Sequence, residues 1–348
     1  MKFKVLIKVL ICFSYFSSLV NSARGQAIVG PENNADNSQP YISWVKQYPF
    51  VKEKRKTPKI IAYLYERIFG KSMQYSLARP VAVWAANPSR LVVLDQQRQT
   101  VFEIENKKVS VPRGVRKKDG YFASLVCVCS KPDDEILFTD SRLSKIFTIS
   151  SDKKKLRVLN DSLTLQQPTG IAYSAINHEI WVVETNAHRI SILNEKGELI
   201  KTIGSRGVES GQFNFPTSIW IDKAGLAYVV DAMNFRVQIF NAKGEFVSTF
   251  GEEGDVSGTL ARPKGIATDS YGNIYVVDGV FHVVQIFDKA GNYLYKFGGK
   301  GNNKEEFWVP TGIYIDQKDY IYVADSYNSR IQIFHLNNGR ENEKNEVN

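Results

Sequence analysis

In the C-terminal half of the chain, apolar runs are closed by an acidic residue at a fixed interval. WVVE, YVVD, YVVD and YVAD end at Glu184, Asp231, Asp278 and Asp325, 47 residues apart. Around each run the order of signals repeats. Pro216-Thr217-Ser218-Ile219 opens a short strand, Lys223-Ala224-Gly225 makes a turn, and Leu226 leads an apolar strand into Asp231. After a polar loop, Arg236-Val237-Gln238-Ile239-Phe240 alternates apolar with polar, as a half-buried strand does. Lys243-Gly244 supplies a hairpin turn, and a last strand runs from Phe246 to Phe250. A strand-rich unit of this length cannot bury its own faces and must stack on copies of itself.

Asp140 and Asp95 close EILFTD and RLVVLD upstream, so the marker spacings are 45, 44, 47, 47 and 47 residues. Six markers predict an all-β fold: a six-bladed β-propeller of four-stranded antiparallel blades. The last repeat stops after its third strand, near Phe334, which predicts ring closure by an N-terminal strand that leaves no open sheet edge. Residues 60–69, ending in Ile68-Phe69-Gly70, resemble Leu294-Tyr295-Lys296-Phe297-Gly298 and are the expected closing strand.

The string P-x-G-I-x, apolar strand, D-x-x-N-x-R-[IV]-Q-[IV]-F resembles the NHL repeat. Asn186, Asn234 and Asn328, with Arg189, Arg236 and Arg330, occupy its polar positions. The match spans residues 168–334; blades one and two keep the strands without the motif, and blade five carries Val283 in place of the arginine. The resemblance implies an exported bacterial-type six-bladed propeller that binds partners, and implies no reaction by itself.

Composition adds an address. Lys2, Lys4 and Lys8 precede a largely apolar stretch at residues 9–20, with Ser22, Ala23 and Gly25 after it. This predicts a signal peptide over 1–22, cleaved after Ser22 or Gly25, with an uncleaved anchor as the alternative. The stretch is shorter than the roughly 20 residues that span a bilayer, so no stable membrane insertion is expected after cleavage. Residues 23–58 read as an extended linker, 59–336 as the propeller and 337–348 as a disordered tail. Tyr41, Trp44, Tyr48 and Phe50 are more aromatics than a linker requires, so part of it is expected to lie against the propeller's side.

The net charge is +9, or +6 without Lys2, Lys4 and Lys8. Lys107, Lys108, Arg113, Arg116 to Lys118 and Lys153 to Lys155 gather the excess in the turns and loops of blades one and two, where charge serves solubility, with an anionic surface or glycan partner as the alternative. In an exported chain that patch does not point to nucleic acid. Cys127 and Cys129 lie two apart on one strand, on the same side, and read as two small buried hydrophobes; the even count in an exported chain leaves a disulfide of strained geometry as the alternative.

Two sets of residues bear on catalysis. His188 and His282 each follow their marker by four residues. That resembles the arrangement in peptidyl-hydroxyglycine amidating lyases, where histidines from separate blades converge on zinc. Phe235 and Ser329 hold the aligned places in the other repeats, and zinc needs a third ligand. A ring formed by the six marker acids could hold calcium, as in lactonase-like propellers. A carboxylate recurring once per blade beside a turn and an arginine is, however, the natural acceptor for loop amides.

The expected function is therefore binding, with no catalytic residue, metal ligand or cofactor assigned. A protein, peptide or glycan would meet a loop face carrying Met233, Phe235, Phe281, His282, Tyr327 and His188. Phe213, Phe215, Phe307 and Trp308 precede the blade-opening prolines on the same side, some of them packed between loops. The alternative is a metal-dependent lyase or lactonase-like hydrolase with its metal in the central channel.

Overall fold

The computed structural model describes residues 40–49, 76–116 and 122–337. Among them are six four-stranded antiparallel sheets, one per marker, arranged as the blades of a propeller. The innermost strands are Pro80–Asn87, Leu125–Ser130, Pro168–Ser174, Pro216–Ile221, Pro263–Thr268 and Pro310–Ile315. Each pairs with the strand ending in its marker, and the first residue of the inner strand lies opposite the marker carboxylate, as Pro216 does to Asp231. Proline is tolerated there because the first residue of a strand owes the ladder no N–H.

The marker strands are buried along most of their length, for example Ala227–Asp231 and Ile274–Asp278 throughout. Their side chains fill the spaces between adjacent blades. Each fully buried Val, Ile or Phe contributes about 1.5–3 kcal/mol. The outermost strands, such as Leu199–Ile203 and Phe246–Phe250, are mostly exposed.

An N-terminal strand closes the ring, as the truncated last repeat requires. It is Tyr41–Tyr48, which pairs antiparallel with Arg330–Asn337 from Tyr41 opposite Asn337 to Tyr48 opposite Ile331. Residues 60–69, the segment expected there, lie outside the described residues, and the edge beside Ile331 to Phe334 is taken by residues assigned to the linker. A bulge between Trp44 and Lys46 switches the side chains from one side of blade six to the other. Ile42 and Trp44 accordingly pack with Phe334 in the seam toward blade five. Tyr48, 1% exposed, packs with Ile331 and Ile333 in the seam toward blade one, where its hydroxyl donates to Pro88 O at 3.0 Å. The expected signal peptide lies outside the described residues, among which no helix is long and apolar enough to cross a membrane.

Candidate functional site

The marker carboxylates are built into the blades. All six are fully buried. Each accepts a backbone N–H from the loop leading into its own blade: from Ala78, Ala123, Gln166, Asn214, Ala261 and Trp308, at 2.6–2.8 Å. In the three blades with the complete motif, the arginine Nε donates to the same carboxylate, from Arg189 and Arg236 at 2.9 Å and from Arg330 at 2.7 Å. Burial raises the pKa of Asp325, while Trp308 N–H, Asn328 and Arg330 work against that rise. These acids hold the loop face in shape.

The histidines do the same between blades. His188 and His282 occupy the left-handed position that ends each post-marker turn, with φ of 53° and 59°. His188 Nδ1 accepts the Phe215 N–H at 3.1 Å, and His282 Nδ1 accepts the Val309 N–H at 3.0 Å. Each ring therefore ties its blade to the loop opening the next. Ser329, the aligned residue of blade six, donates instead to Ala78 O at 2.6 Å. The two rings brace different loops, those opening blades four and six, and among the described residues no group of three or more His, Cys, Asp or Glu is placed to hold a metal ion.

The aromatic set divides. Phe213 and Phe307 are fully buried in the seams. Phe235, Phe281 and His282 are half-buried, and His188 is buried under Phe215, its ring 4.4 Å from that phenyl. Met233, Trp308, Tyr327 and Phe215 remain exposed, at 53%, 48%, 50% and 38%. Trp308 and Tyr327 lie 5.9 Å apart, and the Arg79 guanidinium sits 5.2 Å from the centre of the Tyr327 ring. These residues rim the disc on the side where the post-marker turns meet the incoming loops, as the Met233 N–H to Asn214 O bond illustrates.

Within that rim a channel of about 490 Å³ is lined by the innermost strands of all six blades. Arg79, Gln96, Gln167, Arg262 and Tyr327 line it at the loop face. Deeper, the Tyr314 ring lies 6.4 Å from Trp84 and 5.6 Å from Trp220, so aromatics of blades one, six and four meet across the bore. Cys127 and Cys129 are free thiols in the same lining, both raised in pKa by burial. The lining contains no Asp, Glu or His.

Arg79, Arg262 and Lys264, which line this channel, stand outside the set of site residues expected from the sequence. A signal was present. The residue after the blade-opening proline is Thr169, Thr217 and Thr311 in blades three, four and six, and Lys264 in blade five.

A model for the 6-bladed beta-propeller family matches residues 158–251 and 259–346, more than half of the chain. The chain belongs to that family. No curated protein is significantly similar to it in sequence. Among solved structures it is similar to virginiamycin B lyase from Staphylococcus aureus, at 16% identity and a TM-score of 0.54, over 76% of this chain and 98% of the lyase. An auxiliary nutrient-binding protein from Bacteroides ovatus matches at 15% identity and a TM-score of 0.59, over 75% of this chain and 70% of that one. A gluconolactonase from Xanthomonas campestris matches at 14% and 0.58, over 76% and 88%. At such identities the likeness establishes the fold of this family member and no more.

Proposed function

We propose that this 6-bladed beta-propeller is an exported, non-catalytic binding module that captures a protein, peptide or glycan on its loop face. The observation that carries the reading is a division of labour. The acids and histidines of that face are committed to holding blades and loops together, while Met233, Trp308, Tyr327 and Phe215 stay exposed on a rigid frame. Exposed aromatics on loops fixed by a scaffold are the usual material of recognition. Solved propellers of this shape include lyases, a lactonase and nutrient-binding proteins, so the fold does not choose between classes. A metal-dependent reaction in the channel finds little support, because its lining offers no carboxylate or imidazole for a hard or borderline cation.

The test has two parts. N-terminal sequencing of the exported protein should show a chain beginning after Ser22 or Gly25; a chain still beginning at Met1 would refute the signal peptide. Replacing Met233, Trp308 and Tyr327 together with serine should abolish capture of partners from the envelope or culture medium with the fold intact. Unchanged capture would remove the loop face from consideration.

A further inference from the structure

Three cations stand in one channel without an acid among them. Arg79 comes from blade one and Arg262 and Lys264 from blade five, the two blades that flank blade six, whose Tyr327 lies under the Arg79 guanidinium. None of the three forms an ion pair with a described residue. Burial depresses the Lys264 pKa, and the like charge of Arg262 adds to the effect. Arg79 and Arg262 are exposed at the rim, whereas Lys264 is half-buried, so the cost of holding an unpaired charge out of water falls on Lys264 and is the cost that an incoming anion removes.

A second observation points the same way. Thr217 Oγ1 is buried in the channel lining and is the one buried side-chain polar atom among the described residues without a partner. Its counterparts are satisfied: Thr169 Oγ1 lies 2.7 Å from Thr185 Oγ1, and Thr311 Oγ1 lies 2.7 Å from Ser326 Oγ. Blade four has Ala232 where those partners stand, so its hydroxyl is left over beside the blade that carries Lys264. Below this polar mouth Trp84, Trp220 and Tyr314 meet across the bore and give it an apolar wall. Its volume, about 490 Å³, is that of a site for a small molecule rather than for a polymer.

We propose that the channel binds a small organic anion, its charged head held by Arg79, Arg262, Lys264 and Thr217 and its apolar body seated against Trp84, Trp220 and Tyr314. The head is a carboxylate or a phosphate, for which the same donors serve. This site goes beyond the loop-face reading: Met233, Trp308 and Phe215 take no part in it, Tyr327 under Arg79 is the one residue the two share, and the probe experiment below leaves Tyr327 unaltered, so either reading can fail alone.

The experiment uses two fluorescent probes of similar shape, anionic 8-anilinonaphthalene-1-sulfonate and neutral N-phenyl-1-naphthylamine. The folded protein should bind the anionic probe saturably, one per chain, and the neutral probe at least about tenfold more weakly. Lys264→Thr and Arg262→Gln install the residues that blades three, four and six, and blade three, already carry at these places. Each should weaken the anionic probe at least about tenfold while leaving the neutral one unchanged. Displacement by phenylacetate assigns a carboxylate head, and displacement by phenyl phosphate a phosphate head. Should a variant misfold, ionic strength gives a second reading on the unaltered protein: rising salt should weaken only the anionic probe. Absence of saturable binding, equal affinity for both probes, variants without effect, or displacement by inorganic phosphate as effective as by phenyl phosphate would each overturn the proposal.

Discussion

His282 Nδ1 accepts the Val309 N–H at 3.0 Å and so ties blade five to the loop that opens blade six. The bond requires a neutral ring with its proton on Nε2, because a protonated Nδ1 cannot accept. Burial lowers the pKa of His282 below 6.5 and Lys300 lowers it further, against the opposing pull of Asp278 and Asp325. In the folded protein the ring thus resists protonation that the unfolded chain accepts. The brace is fully present above about pH 6.5, and its contribution falls as pH drops through the lower folded value. Thermal midpoints measured from pH 7 to pH 5 should decline, and His282→Ser, the residue used at Ser329, should flatten that decline. An identical slope in the variant would show that the ring is not the titrating brace.

The motif arginines are equivalent in sequence and unequal in burial. The Arg330 side chain is 8% exposed and Arg189 35%. Arg330 also donates to Gln47 Oε1 of the closing strand and to the backbone oxygens of Asn302, Asn303 and Glu306. Removing it strands the buried Asp325 carboxylate along with those acceptors, so Arg330→Ala should cost about 3–5 kcal/mol. Arg189→Ala, where water reaches the guanidinium and Gln166 N–H and Ser191 still serve the buried Glu184 carboxylate, should cost less, about 1–2 kcal/mol. Urea unfolding of the two variants provides the comparison, and equal losses would mean that burial does not set the strength of this repeated pair.

The closing strand reaches both seams of the last blade, Trp44 toward blade five and Tyr48 toward blade one. Tyr48→Ala leaves a hole in a fully packed seam and should destabilise by about 3 kcal/mol. Deleting residues 40–49 should do more, because it uncovers the whole edge of Arg330–Asn337. Self-association is then expected in size-exclusion chromatography with light scattering. A stable, monomeric deletion would mean that another segment can take the edge.

That strand also marks where the sequence stopped being readable. Asp95 to Asp325 announce the blades because every copy needs a buried acceptor for the same loop amide, and repetition turns that need into a period. The closing strand has no such copy. Its bulge at Trp44 and Lys46 puts Ile42 and Trp44 on one face and Tyr48 on the other, which breaks the alternation that identifies a strand, and residues 60–69 imitate the expected ending better. His188 and His282 have the chemistry of ligands, yet their positions reflect a left-handed turn that needs an acceptor for the next blade's amide. Arg79 joins Arg262 and Lys264 in one lining only because ring closure sets blade one beside blade six, a neighbourhood of residues far apart in the chain.

Where the ring closes, Gly312 lets the inner strands of blades six and one approach backbone to backbone. A Cβ on Gly312 would stand 2.6 Å from Val81 O and 2.9 Å from Ala82 Cα, both main-chain atoms that cannot swing aside. Gly170 and Gly265 make the same close approach toward blades four and six. Gly312→Ala should therefore force the first and last blades apart and cost about 1–3 kcal/mol through overpacking. Gly299→Ala is the matched control, since a Cβ there meets nothing within 4 Å. Chemical denaturation should separate the two by at least about 1 kcal/mol. If both alanines were tolerated alike, the inner strands would have more freedom to part than their spacing indicates, and the width of the channel they line would not be fixed by this contact.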